Sequence, residues 1–313
     1  MLHLRVICPP ERTGVVQAEL VAEPGATHIT VQPGIALAPA GDVVEADVTR
    51  EAADQVLATL RDLGIDRSGG ITLETIDTTL SEAADAAEKA VPGDPADAVV
   101  WEELITRTGE ESRLTVTFQV FLTIACVLAA IGAITDSPVT VVGAMVLGPE
   151  FGALAAVAVG LVLRRRDLIH HGALALAAGF PVAMIITALA TIAFDAIGLL
   201  PTGSLDQMDQ VKFIYTVGPF SLIVALLAGS AGMLALTSAR SAILVGVFIS
   251  VTTVPSAAYT SVALIEQRFD EAWQAALQLV VNVLGIVVAA VAVLLLSPRA
   301  RAWRGSGKRR VAG

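Results

Sequence analysis

Hydrophobic and polar positions divide the chain into two parts with different patterns. Up to about residue 80, short stretches either alternate between apolar and polar side chains or repeat at helical spacing. From residue 114 onwards, long apolar stretches dominate, and most charges lie between them. Alternation is typical of half-buried strands, whereas a helix that crosses a bilayer needs about 20 mostly apolar residues. The pattern predicts a soluble N-terminal domain followed by a membrane domain.

The soluble domain is predicted over residues 1–80, with four strands and two helices in the order βαββαβ. Alternation favours strands at 2–7, 27–32, 42–49 and 71–76, and helical spacing favours helices at 15–21 and 51–63. Thr49 is suited to cap the second helix. This order is that of a ferredoxin-like sandwich. Since a fold does not specify a function, a structural, oligomerising, docking or ligand-sensing role stays open.

Residues 81–113 are predicted to be a linker with an amphipathic helix. Residues 81–97 are acidic and alanine-rich and contain proline, which favours a short helix or linker. At 99–105, Trp101 stands beside Glu102 and Glu103. This segment fits a helix at the membrane surface, or equally an ordinary helix on the soluble domain.

The membrane domain, residues 114–297, is predicted to contain about six transmembrane helices. The six apolar stretches cover 114–134, 139–163, 168–193, 211–236, 242–265 and 272–296. Arginine follows the second and fourth stretches, and a basic tail at 298–313 follows the sixth. Because Lys and Arg are enriched in cytoplasmic loops, we expect a multi-pass plasma-membrane protein with both termini in the cytoplasm.

The second and fifth stretches resemble each other, because each contains a central proline, Pro149 or Pro255. Three spans in each half would give two inverted three-helix repeats, an architecture shared by many secondary transporters. In such proteins, broken helices meet near the bilayer midplane and form the binding site. Two unrelated proline kinks are the alternative.

Glu150 directly follows Pro149 and lies about ten residues from either end of its predicted span. A carboxylate at that depth costs about 2.5 kcal/mol or more, so it is expected to face a protein interior or a wet cavity and to bind a cation or proton. A solvated position in a cytoplasmic vestibule is the alternative.

Neutral polar side chains near Pro255 and on the sixth span complete the predicted binding site. They are Ser250, Thr252, Thr253, Gln278 and Asn282. Hydroxyl groups beside a proline either repair lost backbone hydrogen bonds or coordinate an ion or a polar solute. The two amides lie four residues apart on one helix face, where they join helices or line a pathway.

Composition and charge exclude several classes of function. Residues 1–113 contain 21 acidic and 8 basic residues, and the remainder contains 9 and 12, which gives the net charge of −10. An acidic soluble domain argues against a nucleic-acid partner. The sequence contains no ATP-binding loop, catalytic-triad motif or metal-ligand spacing, so we expect no cofactor, no metal and no enzymatic activity.

The stretch from Asp136 to Pro149, with the sequence DSPVTVVGAMVLGP, continues through Gly152 to Gly160. It resembles the signature of a prokaryotic membrane family catalogued as domain of unknown function 389. The resemblance covers most of residues 114–297 and implies an uncharacterised hydrophobic protein without an established substrate. Members usually continue with apolar residues after this proline, so Glu150 departs from the family pattern.

We therefore expect a secondary transporter or ion-coupled permease for a small polar solute or ion, embedded in the lipid bilayer. A membrane sensor or scaffold, whose cytoplasmic domain binds a ligand or partner, is the main alternative. A passive channel is the third hypothesis, and an enzyme acting on lipid is the fourth. Small residues on the apolar helices suggest lateral packing and a homo-oligomer.

Overall fold

A computed structural model describes residues 1–94, 98–199, 218–238 and 252–296. The chain forms two compact units, the first containing Met1–Leu104 and the second beginning at Ile105. Helix is the dominant secondary structure, and all the strands of the described residues belong to one small sheet in the first unit.

The first unit contains a four-stranded sheet in the order β2-β3-β1-β4, in which all neighbouring strands are antiparallel. The strands are β1 (Leu2–Cys8), β2 (Ala26–Leu37), β3 (Ala40–Val48) and β4 (Gly70–Thr75). The helices are α1 (Pro10–Ala22), α2 (Arg50–Asp62), α3 (Ile65–Ser68) and α4 (Glu82–Ala90). The element order thus matches the predicted βαββαβ order, with α3 as an addition.

The alternating pattern determines which face of the sheet is buried. Leu2, Leu4 and Val6 of β1 are buried, and the residues between them are partly or fully exposed. The buried face packs against apolar side chains of α1 and α2, which include Val16 and Leu60. All four predicted strands are present in the sheet. In β1, the alternating burial confirms that a period of two identifies the side of the sheet that faces the core.

Several element boundaries differ from the prediction. Helix α1 begins at Pro10, where proline fits the first helical position, rather than at residue 15. Strand β2 continues to Leu37 because it keeps pairing with β3 as far as Ala40. Thr49 does occupy the N-cap position of α2, but its side chain makes no capping hydrogen bond.

Helix α5 (Trp101–Glu111) begins within the first unit, where its first turn packs on α2. Trp101 is fully buried, and its backbone N–H donates to Asp54 Oδ1 at 3.0 Å. Glu103 pairs with Arg50 at 3.0 Å, and Glu102 pairs with Arg61. These contacts favour an ordinary helix on the soluble domain over a helix lying at the membrane surface.

The second unit is built from apolar helices. They are α6 (Val116–Ile134), α7 (Pro138–Leu147), α8 (Glu150–Leu163), α9 (Arg166–Ala196), α10 (Pro219–Thr237), α11 (Thr253–Ile265) and α12 (Phe269–Leu296). Within the described residues, four of them are long and apolar enough to cross a membrane, and the pair α7 and α8 counts as a fifth if it is one span. These helices indicate a membrane protein, whereas the six spans of the prediction are not established, since residues 242–251 lie outside the described residues.

The second predicted span is broken, and the two parts, α7 and α8, are bent by 50°. Helix α7 ends at Leu147, Gly148 is extended, and Pro149 is the N-cap of α8. A residue before proline avoids the helical conformation, which explains an end at this point. Pro255 instead lies in the first turn of α11, where proline is tolerated because no intrahelical donor is lost.

Helices α8 and α11 form the interior of the second unit. Every residue of α11 from Thr253 to Ala263 is buried, and α8 is buried along almost its whole length. Helix α11 packs against α6, α7, α9 and α12, and α8 packs against α9 and α12. Glycine permits one of these close approaches, because a Cβ on Gly172 would lie 2.5 Å from the carbonyl oxygen of Ala153.

Candidate functional site

The first residues of α8 and α11 meet in the interior of the second unit. Thr253 Oγ1 donates a hydrogen bond to Glu150 Oε1 at 2.6 Å, although 103 positions separate the two residues. Only 4 % of Glu150 and none of Thr253 is exposed. Glu150 is the first residue of α8. Because a helix N-terminus carries a partial positive charge, a carboxylate is more favourable there than in the middle of the helix.

The second oxygen of Glu150, Oε2, lacks a hydrogen-bond donor among the described residues. Oε2 is buried and accepts no hydrogen bond from any of the described residues. It lies against the break itself, since a Cβ on Gly148 would be 2.2 Å from Oε2 and 3.0 Å from Val254 Cγ2. A methyl group at this position would therefore force the carboxyl group of Glu150 to shift.

A second set of hydrogen bonds between polar side chains begins at the neighbouring residue, Thr252. Asn282 Nδ2 donates to Thr252 Oγ1 at 2.7 Å, and Gln278 Nε2 donates to Asn282 Oδ1 at 3.1 Å. Gln278 Oε1 is buried and has no hydrogen-bond partner within the described ranges. The two amides thus form one continuous network with a hydroxyl at the start of α11. Among the described residues, the network ends in an acceptor without a donor.

Other hydroxyl groups in α11 repair the helix backbone. Ser256 Oγ donates to the carbonyl oxygen of Thr252 at 2.6 Å, and Thr260 Oγ1 donates to that of Ser256 at 2.8 Å. This is the structural role that was one alternative for hydroxyls near Pro255. Thr252 and Thr253 differ from them, because their hydroxyls bond to side chains of α12 and α8.

The predicted site residues can now be placed. Glu150 and Pro149 begin α8, Thr252 and Thr253 begin α11, and Pro255 lies in its first turn. Gln278 and Asn282 reach this region from α12. Ser250 lies outside the described residues.

A cavity of about 490 Å³ reaches the break between α7 and α8. Gly148, Pro149, Phe151 and Gly152 form one wall. Charged residues of α5 and the segment after it form another, namely Arg107, Glu110, Glu111 and Arg113. The lining of the cavity thus combines charged side chains with apolar ones such as Phe118 and Phe121. Glu150 itself does not line it and is buried, which does not fit the solvated alternative.

Residues 145–288 match the family model described as "Domain of unknown function (DUF389)". The resemblance inferred from the sequence is confirmed. The DUF389 match begins in α7 and ends in α12, so it includes the break and every described residue of the polar network. Searches of curated proteins and of solved structures each found no match. The DUF389 description names no substrate or reaction.

A second polar cluster, in the first unit, was missed by the sequence analysis. His28 Nδ1 lies 2.7 Å from Asp47 Oδ2, and His28 Nε2 lies 2.8 Å from Ser81 Oγ. His3 Nδ1 lies 2.9 Å from the other oxygen of Asp47. These residues are far apart in the chain, and only the capping role of Ser81 has a local signal.

Asp47 is stabilised in its ionised form. Partial burial by itself would raise the pKa of Asp47, but the hydrogen bonds and charges of His28 and His3 outweigh it, and the pKa is lowered. The described residues contain no group of three or more His, Cys, Asp or Glu side chains arranged to hold a metal ion.

Proposed function

We propose that the protein is a secondary transporter, or ion-coupled permease, for a small polar solute or ion. The observation that carries the proposal is the hydrogen bond between Glu150 and Thr253, which joins the first residues of two buried helices, α8 and α11. Pro149 is the N-cap of α8, and Pro255 lies in the first turn of α11. Irregular backbone at membrane depth, as between α7 and α8, is tolerated only where it is buried in protein or lines a cavity. Binding at such breaks is the common solution in transporters.

The arrangement of helices supports two inverted three-helix repeats. The first proposed repeat consists of α6, the pair α7 and α8, and α9. The second proposed repeat contains α10, α11 and α12. In both, a short buried helix, α8 or α11, is followed by a long apolar helix against which it packs. The antiparallel sheet order β2-β3-β1-β4 supports a ferredoxin-like N-terminal domain. The basic loops support cytoplasmic termini in a plasma membrane.

We assign the proton as the coupling ion. A metal cation needs several oxygen ligands around it, as the coordination of hard cations shows. At Glu150 one oxygen accepts from Thr253, and the other is buried beside Gly148 with no hydrogen-bond partner among the described residues. A proton needs only one free lone pair, which Oε2 provides. A bare carboxylate oxygen in an apolar interior is costly, so binding a proton there is favourable.

The uncharged hydrogen-bond network of Thr252, Asn282 and Gln278 indicates which chemical groups the solute needs. Gln278 Oε1 is a buried acceptor without a partner in the described residues, so a solute that binds there needs an N–H or O–H donor. Loss of the proton converts Glu150 from a possible donor into an acceptor only, which changes the hydrogen bonds where the first residues of α8 and α11 meet. Solute and proton binding are thereby linked.

Flux through purified protein in liposomes tests the proposal. Candidate polar solutes are added outside vesicles that contain a pH-sensitive dye, and solute-driven proton entry is recorded. We expect wild-type flux to be lost in Glu150→Gln and strongly reduced in Thr253→Val. Thr187→Val is a matched control, because Thr187 is equally buried and its hydroxyl has no hydrogen-bond partner in the described chain. Normal flux in both site variants would refute the site.

The main alternative is a membrane sensor or scaffold. It is favoured by one observation, namely that the first unit has its own hydrophobic core and a polar cluster at its surface. Removing residues 1–98 separates the two functions. A transporter should retain flux without these residues, whereas a sensor should lose ligand or partner binding. A homo-oligomer remains part of either proposal.

A further inference from the structure

The polar cluster of the first unit has the arrangement of a nucleophile, a base and an orienting acid. Its members come from three elements, since His28 lies on β2, Asp47 lies on β3 and Ser81 is the N-cap of α4. Both hydrogen bonds to the imidazole are short, at 2.7 Å from Asp47 and 2.8 Å from Ser81. A serine, a histidine and an aspartate linked in this order make a serine nucleophilic on several unrelated folds.

The carboxylate determines which nitrogen of His28 carries the proton. Asp47 is ionised at neutral pH, so it accepts from Nδ1–H. In the neutral imidazole the lone pair is then on Nε2, which faces the Ser81 hydroxyl. Ser81 therefore donates to a group that can take its proton.

The backbone of His28 is unusual. Its φ of 49° lies in the left-handed region, which residues other than glycine seldom adopt. Such conformations persist where surrounding contacts hold them, and they are frequent at functional sites. Here the contacts with Asp47 and Ser81 hold the imidazole between the carboxylate and the hydroxyl.

The start of α4 provides a place for a developing negative charge. The first N–H groups of a helix have no intrahelical acceptor, and in α4 these belong to Glu82 and Ala83, next to Ser81. N–H groups at a helix start beside a nucleophile are suited to stabilise an oxyanion. The His28 side chain is 37 % exposed, so a small molecule can reach it from solvent.

We propose that Ser81, His28 and Asp47 form a hydrolytic site for small esters that are uncharged or positively charged. Acidic side chains, among them Glu45, Glu82 and Asp85, disfavour anionic substrates. Ser81 and His28 are the catalytic residues, and Asp47 is a positioning residue. The proposed activity is independent of transport, and it differs from the expectation that the protein is not an enzyme.

The reaction has two balanced steps. Ser81 Oγ forms a bond to the acyl carbon while its proton passes to His28 Nε2, and the bond to the leaving oxygen breaks as that oxygen takes the proton. Water then attacks the acyl group and gives a proton to His28. The carboxylic acid leaves as Ser81 Oγ recovers its proton.

Labelling of the full-length protein in detergent with a fluorophosphonate probe tests the site, because the probe forms a stable bond to an activated serine. We expect one adduct, which peptide mass spectrometry locates on Ser81. His28→Asn should slow labelling about 100-fold or more, the usual contribution of a general base. Asparagine is chosen since it tolerates a positive φ, so the fold of β2 is retained.

His3→Gln is the matched control, because His3 contacts the other oxygen of Asp47 and has no hydrogen bond to Ser81. It should leave the labelling rate nearly unchanged. Asp47→Asn should slow labelling and alter its pH profile, since the proton on the imidazole would move to Nε2. No adduct on Ser81, or equal labelling of wild type and a folded His28→Asn variant, would overturn the proposal.

Discussion

Two carboxylates, one in each unit, differ both in their hydrogen-bond partners and in their surroundings. Asp47 accepts at both oxygens from imidazoles, and its side chain remains 15 % exposed. Glu150 accepts at one oxygen from a hydroxyl and is buried among apolar residues. The difference teaches that the number of satisfied oxygens, rather than the residue type, determines which charge state a site favours.

For Asp47, two donors and some solvent stabilise a permanent negative charge, which suits an orienting group. For Glu150, one oxygen has no donor among the described residues, so the negative form is costly and a proton relieves that cost. A group that gains and loses a proton is the requirement for coupling. The variants below alter the surroundings of one carboxylate at a time.

The largest effect is expected for Gly148→Ala. The added methyl group would lie 2.2 Å from Glu150 Oε2, so the carboxyl group or the break must move. We expect a loss of about 1–3 kcal/mol, as for other overpacked sites. The change is measured as a lower melting temperature of the protein in detergent. Gly143→Ala is the control, since a Cβ there meets nothing within 4 Å; equal stability of the two variants would contradict the packing described.

Thr253→Val is expected to follow. Valine has nearly the same shape but leaves Oε1 of Glu150 without its donor, which costs about 1–3 kcal/mol for a buried polar group. Because protonation lessens that cost, the loss should be smaller at acidic pH. Melting temperatures at two pH values provide the measurement. Thr187→Val should change stability little, and a similar loss in both variants would argue against a specific pair.

Asp47→Asn should destabilise the first unit by about 1–2 kcal/mol at neutral pH, because two hydrogen bonds to a charged group are weakened. The pKa of Asp47 is lowered in the folded protein, so its contribution is present above the unfolded pKa of about 3.9 and is lost as the pH falls through the folded pKa. Urea unfolding of both proteins at pH 7 and near pH 3 should show a smaller difference at the lower pH. A stability difference between the two proteins that is equal at both pH values would contradict this account.

The smallest effect is expected for Ser81→Ala. The change removes the side-chain cap of α4, in which Ala84 N–H donates to Ser81 Oγ at 3.4 Å. This bond is long, so we expect about 0.5–1 kcal/mol, the lower part of the range for N-caps. Thermal unfolding measures it. A loss well above that range would mean that the contact with His28 stabilises the fold more than the cap does.

The sequence is informative where local pattern determines structure. Alternation placed β1 because burial on one face repeats every second residue, and Pro149 placed the break because proline acts on its immediate neighbours. Glu150 was identified by its depth in an apolar stretch alone. These predictions need no knowledge of distant residues.

Pairings between distant residues could not be predicted in the same way. Nothing in the local pattern connects Glu150 with Thr253, or His28 with Ser81, because periodicity reports which face is buried and not what covers it. The same reason explains Trp101, whose acidic neighbours indicated an amphipathic helix while its partners lie on α2.

The central claim is that Glu150 takes up and releases a proton inside the membrane domain. Infrared difference spectroscopy of the protein in lipid measures this directly, because a protonated carboxyl group has its own carbonyl band. The account predicts a band that appears as the pH is lowered, changes when a transported solute binds, and is missing in Glu150→Gln. The same band in Glu150→Gln, or no titrating carboxyl band in the wild type, would contradict it.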